Sequence, residues 1–569
     1  MPQLPGSHPL VNTDPRARAA YSEGAGIYRL IPLGVAVPAS VAELQSLVSW
    51  ARTSRTALTA RGAGSGIPGN AVGSGVIVDL RDRMPRTLEL DPGSRTAITS
   101  ANITLGELNR AAAAHSLRLP PDPSSSAWAT LGGMVATNAS GARTVRYGPV
   151  RAWVMGMEVV TGDGEVGWLS RGETSGQMAS QGAINRGLPT AVNRFHQKTA
   201  PAIRLAAEQV RARFPRVRKN TSGYALDHWL ATGDDLELLI GAEGTLGLIT
   251  TIRWRLDPIP EARSGVRIAL RSLEDLEEAV RTLISLEPSA VELLDRTFLD
   301  LVQGARATKG EPALDVPAGT EALLLVEFER SNRKAARGAA GDAVRAMQSL
   351  ALDMTTALTV EEEKELWAIR HAASPILAGL PADRRSMQII EDGCVPLPRL
   401  GAYVRAIREA AARQRITVVI FGHAGDGNVH VNALPELAQP DWPTRIRALY
   451  DEVSSAVIEL GGTVSGEHGD GRLRAPLLEA QYGAEIVELF RRVKTAFDPD
   501  GILNPGVKLD SGESAMAGLK IGPGAAAIPE DIALALRDIE RTGGYARSRM
   551  EIAEPGTGKR EPGNATPGQ

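Results

Sequence analysis

Two long segments rich in glycine and small polar residues constrain the first half of this chain more than any other feature. Residues 61–75 read RGAGSGIPGNAVGSG, and residues 120–148 read PPDPSSSAWATLGGMVATNASGARTVRYG. The second segment is too rich in Gly, Ser, Thr and Asn to form a hydrophobic core and too long for a simple connection. Ordered loops of this composition often contact ligands. We therefore expect both segments to line a binding site.

The first glycine segment does not predict a nicotinamide site. Residues 64–69 formally match G-x-G-x-x-G, but the dinucleotide fingerprint requires a helix directly after the glycines. Here Pro68 and the run GVIVDL at residues 75–80 predict another strand. What remains is a loop whose backbone N–H groups can cradle an anion such as a pyrophosphate. An ordinary glycine hairpin explains these residues equally well.

A hairpin that carries two histidines is predicted at residues 416–432, ITVVIFGHAGDGNVHVN. Two apolar runs rich in β-branched residues flank a Gly-Asp-Gly turn, which places His423 and His430 together at its rim. Since side chains alternate along a strand, His430 and Asn432 share one face while the intervening valines face the other way. One face of this strand is therefore polar.

A second short motif, SGEHGDGR at residues 465–472, places Glu467 and His468 in a glycine-rich turn. Three of the eight histidines of the chain lie in these two motifs. The set His423, His430 and Glu467 suits a divalent metal that keeps an open coordination position, and the extra histidine could act as a base. Hydrogen-bonded turn or core histidines are the alternative, but their clustering favours a metal or catalytic site.

Composition excludes several classes of protein. The 569 residues predict two to four domains. The 63 basic and 66 acidic residues give a net charge of -3, so nucleic acid is not an expected partner. No apolar run approaches the ~20 residues that a membrane span requires, and the first residues contain no apolar signal-peptide core. We therefore expect a cytoplasmic protein, which could still associate peripherally with the inner face of the membrane. The single cysteine, Cys394, excludes a disulfide framework and an in-chain iron–sulfur cluster, so any redox centre comes from outside.

The chain order predicts an α+β organisation. Ser40 and Glu43 form a capping box that opens a helix. A composition shift near residues 257–260 suggests a domain boundary, after which strands and helices alternate as an antiparallel sheet with helices to one side. Arg370 lies in a helix of that region. Its forked guanidinium suits a substrate carboxylate, although for an arginine taken alone a surface salt bridge is the better explanation.

Four segments are expected in all. They are an N-terminal extension at residues 1–32, a cofactor-binding domain at 33–257, a substrate and metal domain at 258–509, and a low-complexity, disordered tail at 510–569. The tail contains a short amphipathic run with Ile532, Leu536 and Ile539 on one face. That face could dock a partner or pack on the fold.

Several separated motifs together resemble one family. They are VPASVAEL, TARGAGSGIPGNAVG, PDPSSSAWATLGGMVATNASGARTVRYG, KNTSGYAL, GAEGTLGLIT, AVELLDR, FGHAGDGNVHVN, SGEHGDGR and DPDGILNPG. In this order they resemble the FAD-binding oxidoreductases of the vanillyl-alcohol-oxidase (PCMH) type, in the D-2-hydroxyacid dehydrogenase branch, over about residues 28–509. The resemblance implies a two-subdomain FAD-binding domain, an antiparallel-sheet α+β substrate (cap) domain and a C-terminal helical segment.

The resemblance also implies roles for individual residues. His423, His430 and Glu467 match the metal ligands, His468 the catalytic base, Asn432 a substrate contact and Arg370 the carboxylate-binding arginine. The positions that match FAD contacts are Arg61, Gly62, Ala63, Gly64, Ser65, Gly66, Pro121, Asp122, Thr130, Gly132, Gly133, Asn138, Ser140, Gly141, Glu243, Gly244, Leu248, Ile249 and Asn504. The first glycine loop contains no His or Cys, so we expect the FAD to be bound non-covalently.

By this resemblance the protein oxidises a D-2-hydroxy acid, D-lactate or D-2-hydroxyglutarate, to the 2-oxo acid. A divalent metal, zinc first with manganese or iron as alternatives, would assist removal of the hydroxyl proton. The motifs look most like long members with a fused iron–sulfur module, but the cysteine motifs of that module are absent. Electrons are therefore expected to pass to a separate quinone, cytochrome, or iron–sulfur or electron-transfer protein. Two alternatives are a glycolate oxidase-like flavin subunit of a larger complex and a flavin-independent metallohydrolase.

Overall fold

The computed structural model describes residues 7–172, 187–381 and 383–554, and the first half of this range is built on two sheets. Its strands are β1 (Val11–Asn12), β2 (Gly34–Ala36), β3 (Leu58–Arg61), β4 (Val76–Asp79), β5 (Leu88–Asp91), β6 (Thr96–Ser100), β7 (Leu117–Arg118), β8 (Val154–Val160), β9 (Val166–Ser170), β10 (Leu248–Arg255) and β11 (Asp257–Pro258). The first sheet has the order β1-β2-β4-β3, with β2, β4 and β3 parallel. The second, β5-β6-β10-β8-β9, is antiparallel throughout, and β7 pairs with β11.

Ten helices surround these sheets in the described part of the first half. They are α1 (Pro15–Ala20), α2 (Val41–Ser54), α3 (Leu105–Ala113), α4 (Leu131–Thr137), α5 (Thr144–Tyr147), α6 (Thr190–Lys198), α7 (Ala200–Leu205), α8 (Ala207–Arg213), α9 (Leu226–Thr232) and α10 (Leu236–Leu239). Helix α2 begins as predicted, because the Ser40 hydroxyl accepts from the Glu43 N–H at 3.1 Å. The Glu43 carboxylate accepts from the N–H of Ala39 rather than from that of Ser40.

A seven-stranded sheet forms the centre of the second half. Its strands are β12 (Ala262–Leu270), β13 (Ala290–Asp295), β14 (Ala322–Arg330), β15 (Ala351–Ala357), β16 (Gly393–Cys394), β17 (Thr417–Gly422) and β18 (Asn428–Leu434). They lie in the order β15-β12-β14-β13-β17-β18-β16, and every neighbouring pair is antiparallel. The predicted α+β class with an antiparallel sheet is confirmed.

Helices cover both faces of this sheet, so the expectation of helices on one side is wrong. The remaining helices are α11 (Leu276–Ile284), α12 (Arg296–Thr308), α13 (Arg333–Ala346), α14 (Val360–His371), α15 (Ala373–Ala378), α16 (Leu400–Gln414), α17 (Trp442–Glu459), α18 (Gly471–Arg474), α19 (Leu478–Tyr482), α20 (Ala484–Phe497), α21 (Glu530–Thr542) and α22 (Arg549–Ala553). Leu324 and Val326 of β14 pack in one core with α11, α13 and α16. Leu323 and Leu325 pack in another with α12, α14 and α15. The continuous apolar run of β14 follows from burial on both sides.

Among the described residues, no helix is long and apolar enough to cross a membrane.

The chain returns to its first half before the tail. Helix α20 contributes Ile486, Phe490 and Phe497 to the core formed by the second sheet and helices α3 to α9. Leu503 then joins the core of the first sheet and forms an isolated bridge with Leu58. The C-terminal part of the second half therefore helps to hold the first half together.

The tail is folded over residues 510–554, which corrects the expectation of disorder there. Helix α21 buries Ile532, Leu536 and Ile539 in a cluster with Tyr21 of the N-terminal segment and Ile77 of β4. The predicted amphipathic face therefore packs on the protein's own fold, because these apolar side chains find a matching surface there. Residues 555–569 lie outside the described range.

Candidate active site

The predicted histidine hairpin is formed by β17 and β18. In this antiparallel pair Phe421 lies opposite His430, and Val419 lies opposite Asn432. Gly427 ends the turn at a φ of 74°, in the left-handed region, where a Cβ would also collide with the carbonyl of Val395. As the alternation predicts, His430 and Asn432 line the main cavity, while Val429 and Val431 enter the core on the other face.

Two imidazoles and one carboxylate converge beside this hairpin. Oε1 of Glu467 lies 3.0 Å from Nε2 of His423 and 3.3 Å from Nε2 of His430. Nδ1 of His423 donates to Oε1 of Glu292 at 2.6 Å, and Nδ1 of His430 donates to the carbonyl of Glu391 at 2.8 Å. These acceptors carry no hydrogen, so both Nδ1 atoms hold a proton. Both Nε2 atoms face Oε1 of Glu467 and are the atoms that would bind a cation after losing any proton of their own. Burial acts to raise the pKa of Glu292, but the contact with His423 holds it well below its usual range.

This donor set fits a divalent cation. The three ligand atoms of His423, His430 and Glu467 lie within 4.8 Å of one another, and all three residues are buried. Two neutral imidazoles and one carboxylate, each fixed from behind by a hydrogen bond, form the three-ligand arrangement that leaves a coordination position for a substrate. These residues could therefore hold a catalytic rather than a structural metal.

A buried lysine fixes the far oxygen of Glu467. Oε2 of Glu467 accepts from Ser140 Oγ at 2.6 Å and from Lys219 Nζ at 2.8 Å, so Oε1 is the oxygen that faces the histidines. Nζ of Lys219 also lies 3.6 Å from the carboxylate of Asp426. Burial acts to raise the pKa of Glu467, but Lys219 and then His423 hold it well below its usual range. The carboxylate is therefore ionised and ready to bind a cation.

His468 stands beside this group and is oriented by a carboxylate. Its Nδ1 donates to Oε2 of Glu391 at 2.6 Å, and Arg474 donates to the other oxygen of Glu391. The backbone N–H of His468 donates to Asp392 at 2.8 Å, and its ring stacks on that of His430 at 5.1 Å. Burial acts to lower the pKa of His468, but Glu391 and Asp392 raise it to about 9. His468 lines the cavity, and its Nε2 can accept a proton from a bound molecule only when the ring is neutral, which becomes the main form above that pKa.

Arg370 and Asn432 present free donors to the same cavity. Nε of Arg370 donates to Oε2 of Glu292 at 2.7 Å, and its guanidinium lies 4.9 Å from the centre of the Phe421 ring. Neither Nη atom has a hydrogen bond to another described residue. Oδ1 of Asn432 accepts from Ser386 at 2.8 Å, so its amide N–H groups remain available. The arrangement can bind a carboxylate through the two Nη atoms.

One cavity of about 360 Å³ is lined by the glycine-rich loops together with the side chains of His423, His430, Glu467, His468, Arg370 and Asn432. The predicted cofactor residues that line it are Arg61, Gly62, Ala63, Gly64, Ser65, Gly66, Asp122, Thr130, Gly132, Gly133, Ser140, Gly141, Glu243, Gly244, Leu248 and Ile249. Pro121, Asn138 and Asn504 do not line it. Asn138 ends α4 and accepts from the N–H of Arg151, and Asn504 donates to the carbonyls of Asn70 and Glu243.

Close packing of the protein's own chain requires glycine at two positions of these loops. At Gly132 a Cβ would lie 2.6 Å from the Cβ of Ala101, and at Gly141 the φ of 153° disfavours any other residue. The guanidinium of Arg61 turns away from the cavity and donates to the carbonyls of Tyr21 and Glu23. Arg61 therefore shapes the loop, and backbone N–H groups are left to meet a pyrophosphate.

Sequence reasoning missed three charged residues that support this site. Glu292 joins His423 to Arg370, Glu391 orients His468, and Lys219 fixes Glu467. A signal existed for Glu292, since it is the charged residue inside the apolar run AVELL. A lone charge in a buried strand requires a partner, but the sequence does not say which residue supplies it.

Comparisons with known proteins agree with this geometry. Residues 32–170 match the family described as "FAD binding domain", and residues 259–507 match "FAD linked oxidases, C-terminal domain". The chain is 31% identical over 477 residues to a D-lactate dehydrogenase of Archaeoglobus fulgidus, which covers 83% of this chain and 90% of that protein. It is 28% identical over 482 residues to glycolate oxidase subunit GlcD of Bacillus subtilis, covering 84% and 89%. A D-2-hydroxyglutarate dehydrogenase of Escherichia coli is 28% identical, covering 86% of this chain and 49% of that protein.

Solved structures show the same fold. A p-cresol methylhydroxylase aligns with a TM-score of 0.63 at 14% identity, over 89% of this chain and 95% of that one. A 4-ethylphenol oxidase of Gulosibacter chungangensis aligns with a TM-score of 0.61 at 16% identity, over 88% and 94%. The fold, the two matched domain families and the dehydrogenase relative together define an FAD-binding oxidoreductase. The chain belongs to the family of FAD-linked oxidases, which confirms the predicted resemblance.

Proposed function

We propose that this protein is an FAD-dependent dehydrogenase that oxidises a D-2-hydroxy acid, D-lactate or D-2-hydroxyglutarate, to the 2-oxo acid. The observation that carries the proposal is the meeting of three groups in one cavity. These are the free Nη atoms of Arg370, the oriented imidazole of His468 and the converging ligand atoms of His423, His430 and Glu467. The names of the relatives, which include D-lactate dehydrogenase and D-2-hydroxyglutarate dehydrogenase, support the same substrate class.

Different residues of the chain carry out different parts of the proposed reaction. Arg370 binds the substrate carboxylate through its two Nη atoms and Asn432 donates an amide N–H, which together fix the face of Cα that is presented. His468 accepts the hydroxyl proton at Nε2, and the imidazolium that forms is stabilised by Glu391 across 2.6 Å. Bound FAD would supply an acceptor for the hydride of Cα, and a divalent cation held by His423, His430 and Glu467 would make the hydroxyl more acidic. The substrate thus loses one proton and one hydride and becomes a 2-oxo acid.

We assign the cofactors to particular residues. The glycine loops of residues 33–257 would hold FAD non-covalently, and their backbone N–H groups could bind its pyrophosphate. Zinc is the first candidate for the ion at His423, His430 and Glu467, since two imidazoles and one carboxylate suit zinc while also admitting manganese or iron. The segment 258–509 supplies all three ligands. A positive charge beside His468 would oppose its protonation and bring its pKa down toward neutrality.

Electrons then leave to a separate acceptor, a quinone, a cytochrome, or an iron–sulfur or electron-transfer protein. A second candidate function is that of a glycolate oxidase-like flavin subunit within a larger complex. The similarity to glycolate oxidase subunit GlcD over 89% of that protein favours it. A flavin-independent metallohydrolase would leave the match of residues 32–170 to an FAD binding domain without a role.

A screen of D-2-hydroxy acids tests the proposal. Purified protein is mixed anaerobically with D-lactate, D-2-hydroxyglutarate or glycolate while the flavin absorbance is followed, and its metal content is measured on the same sample. We expect bleaching by at least one D-2-hydroxy acid and about one equivalent of a divalent metal per chain. Bleaching by glycolate alone would support the second candidate, and protein that binds no flavin would contradict both.

A further inference from the structure

A second cavity, of about 210 Å³, opens off the main cavity on the side of the C-terminal segment. The two cavities share lining residues, among them Ser125, Gln388, Phe421 and Asn432. Since Asn432 is the residue proposed to contact the substrate, the second cavity meets the first at the substrate end. We call it the tail cavity, because Lys520, Ile521, Arg537, Glu540 and Tyr545 form its outer wall.

This outer wall lies beyond the part of the chain that matches the FAD-linked oxidase family, which ends at residue 507. Helix α21 holds the wall in place, because Ile532 and Leu536 on its opposite face are buried against the first sheet and the N-terminal segment. The tail cavity is therefore built by this chain's own C-terminal segment together with the substrate side of the main cavity.

The tail cavity has an excess of positive charge. Its charged lining residues are the four cations Arg385, Lys520, Arg537 and Arg541 and the single carboxylate of Glu540. Glu540 is already shared between Lys520 at 3.2 Å and Arg537 at 3.3 Å. Arg541 pairs with Asp538, which does not line the cavity. No carboxylate of the cavity is left for Arg385.

Arg385 is the cation without a partner. Its guanidinium is half-buried and makes no hydrogen bond or ion pair with any residue in the described ranges. Burial, and then the neighbouring charge of Arg537, lower its pKa, and the carboxylates of Glu540 and Glu23 oppose this shift only in part. A partly desolvated guanidinium beside a second cation is unfavourable unless an anion completes the site. Apolar side chains complete the lining, among them Leu377, Met387 and Ile521, which suit a hydrocarbon chain.

We propose that the tail cavity is a second anion subsite, in which Arg385 binds the distal carboxylate of a substrate that is a 2-hydroxy diacid. The proposal rests on the proposed function, since Arg370 would hold the first carboxylate of the same molecule. The hydrocarbon chain would run past Phe421 and Gln388, which line both cavities. The fork of Arg385 provides paired N–H donors of the geometry that carboxylates accept.

The test compares a diacid with a monoacid of equal chain length. Anaerobic flavin reduction is measured with D-2-hydroxyadipate and with D-2-hydroxyhexanoate, for the wild type and for Arg385→Gln. We expect the variant to lower the ratio of kcat/KM for diacid over monoacid by about tenfold, the loss typical of one charged hydrogen-bonded contact. Arg384→Gln is the matched control, because Arg384 is the exposed neighbour and does not line the cavity. This control should leave the ratio unchanged.

Binding of a diacid that cannot react separates this inference from the proposed function. Adipate and hexanoate are titrated into the oxidised protein while the flavin spectrum is followed. Tighter binding of adipate that disappears in Arg385→Gln supports the subsite even if no hydroxy acid reduces the flavin. The proposal is overturned if Arg385→Gln leaves the preference for the diacid unchanged, or if it weakens both acids equally. A variant that alters only reoxidation by an electron acceptor would overturn it as well.

Discussion

The Nζ atom of Lys219 lies 2.8 Å from Oε2 of Glu467, and both groups are buried. This pair couples the glycine-rich first half to the proposed metal ligands of the second half, because Lys219 also donates to the carbonyl of Gly141 in the second glycine segment. The site is thus held by contacts between residues that lie 248 positions apart in the chain.

The first prediction concerns this lysine. Lys219→Met removes the positive charge while Glu467 stays buried, so we expect the metal-free protein to lose about 3 kcal/mol of unfolding free energy. Denaturant unfolding of chelator-treated protein measures this loss, and added zinc should recover part of it, since a cation can replace the missing charge. Lys198→Met is the control at an exposed lysine. Equal stability of Lys219→Met and wild type would show that the pair contributes nothing.

The second prediction concerns the pH dependence of His468. The carboxylate of Glu391 raises the pKa of His468, so Glu391→Gln lowers that pKa and the neutral, proton-accepting imidazole is populated at lower pH. The rise of the flavin reduction rate with pH should therefore move to lower pH, while the maximal rate falls about tenfold because the ring is less well oriented. Stopped-flow reduction across the neutral and alkaline range measures both effects. A pH profile that does not shift in Glu391→Gln would show that Glu391 does not set the pKa of the proton-accepting group.

The third prediction concerns Arg370. Arg370→Lys keeps the charge but loses the planar fork, so kcat/KM for the hydroxy acid should fall about a hundredfold while flavin content stays unchanged. The rate of turnover at several substrate concentrations gives kcat/KM, and the ratio of flavin to protein absorbance gives the flavin content. Arg333→Lys, at an exposed arginine, serves as the control. Loss of flavin in Arg370→Lys would instead point to a role in holding the fold or the cofactor.

The fourth prediction concerns the tail. Ile532 is fully buried and Leu534 in the same helix is 65% exposed. Ile532→Ala should destabilise α21 by about 3 kcal/mol, whereas Leu534→Ala should change its stability by less than about 0.5 kcal/mol. Hydrogen exchange of the amides in α21 measures the difference. If both variants exchange as the wild type does, the helix is not stabilised by packing on the N-terminal segment.

Local patterns predicted those features that depend on neighbours in the sequence. Alternation along β18 placed His430 and Asn432 on one face, and Pro68 with the following apolar run excluded a Rossmann helix after the glycines. The apolar face of Ile532, Leu536 and Ile539 was also visible, but its partner was not. Its packing surface comes from the first residues of the chain and from β4, and no local signal marks contacts at such separations.

Features that depend on contacts between residues far apart in the sequence were not predicted. Glu292 meets His423 across 131 residues, and Glu391 meets His468 across 77. Such pairs form only when separate elements pack, so a charge in an apolar strand shows that a partner exists without identifying it. The helices on both faces of the large sheet were missed for a related reason. The continuous apolar run of β14 is compatible with several packings, and tertiary contacts select among them.

The central question is whether His423, His430 and Glu467 act on the same substrate molecule as the flavin. It is tested by mixing the flavin-loaded protein anaerobically with each enantiomer of one 2-hydroxy acid, before and after a chelator removes the metal. We predict that the D enantiomer bleaches the flavin and the L enantiomer does not, that chelation abolishes the bleaching, and that zinc restores it. Bleaching that is equal for both enantiomers and insensitive to chelation would show that these three residues take no part in the reaction.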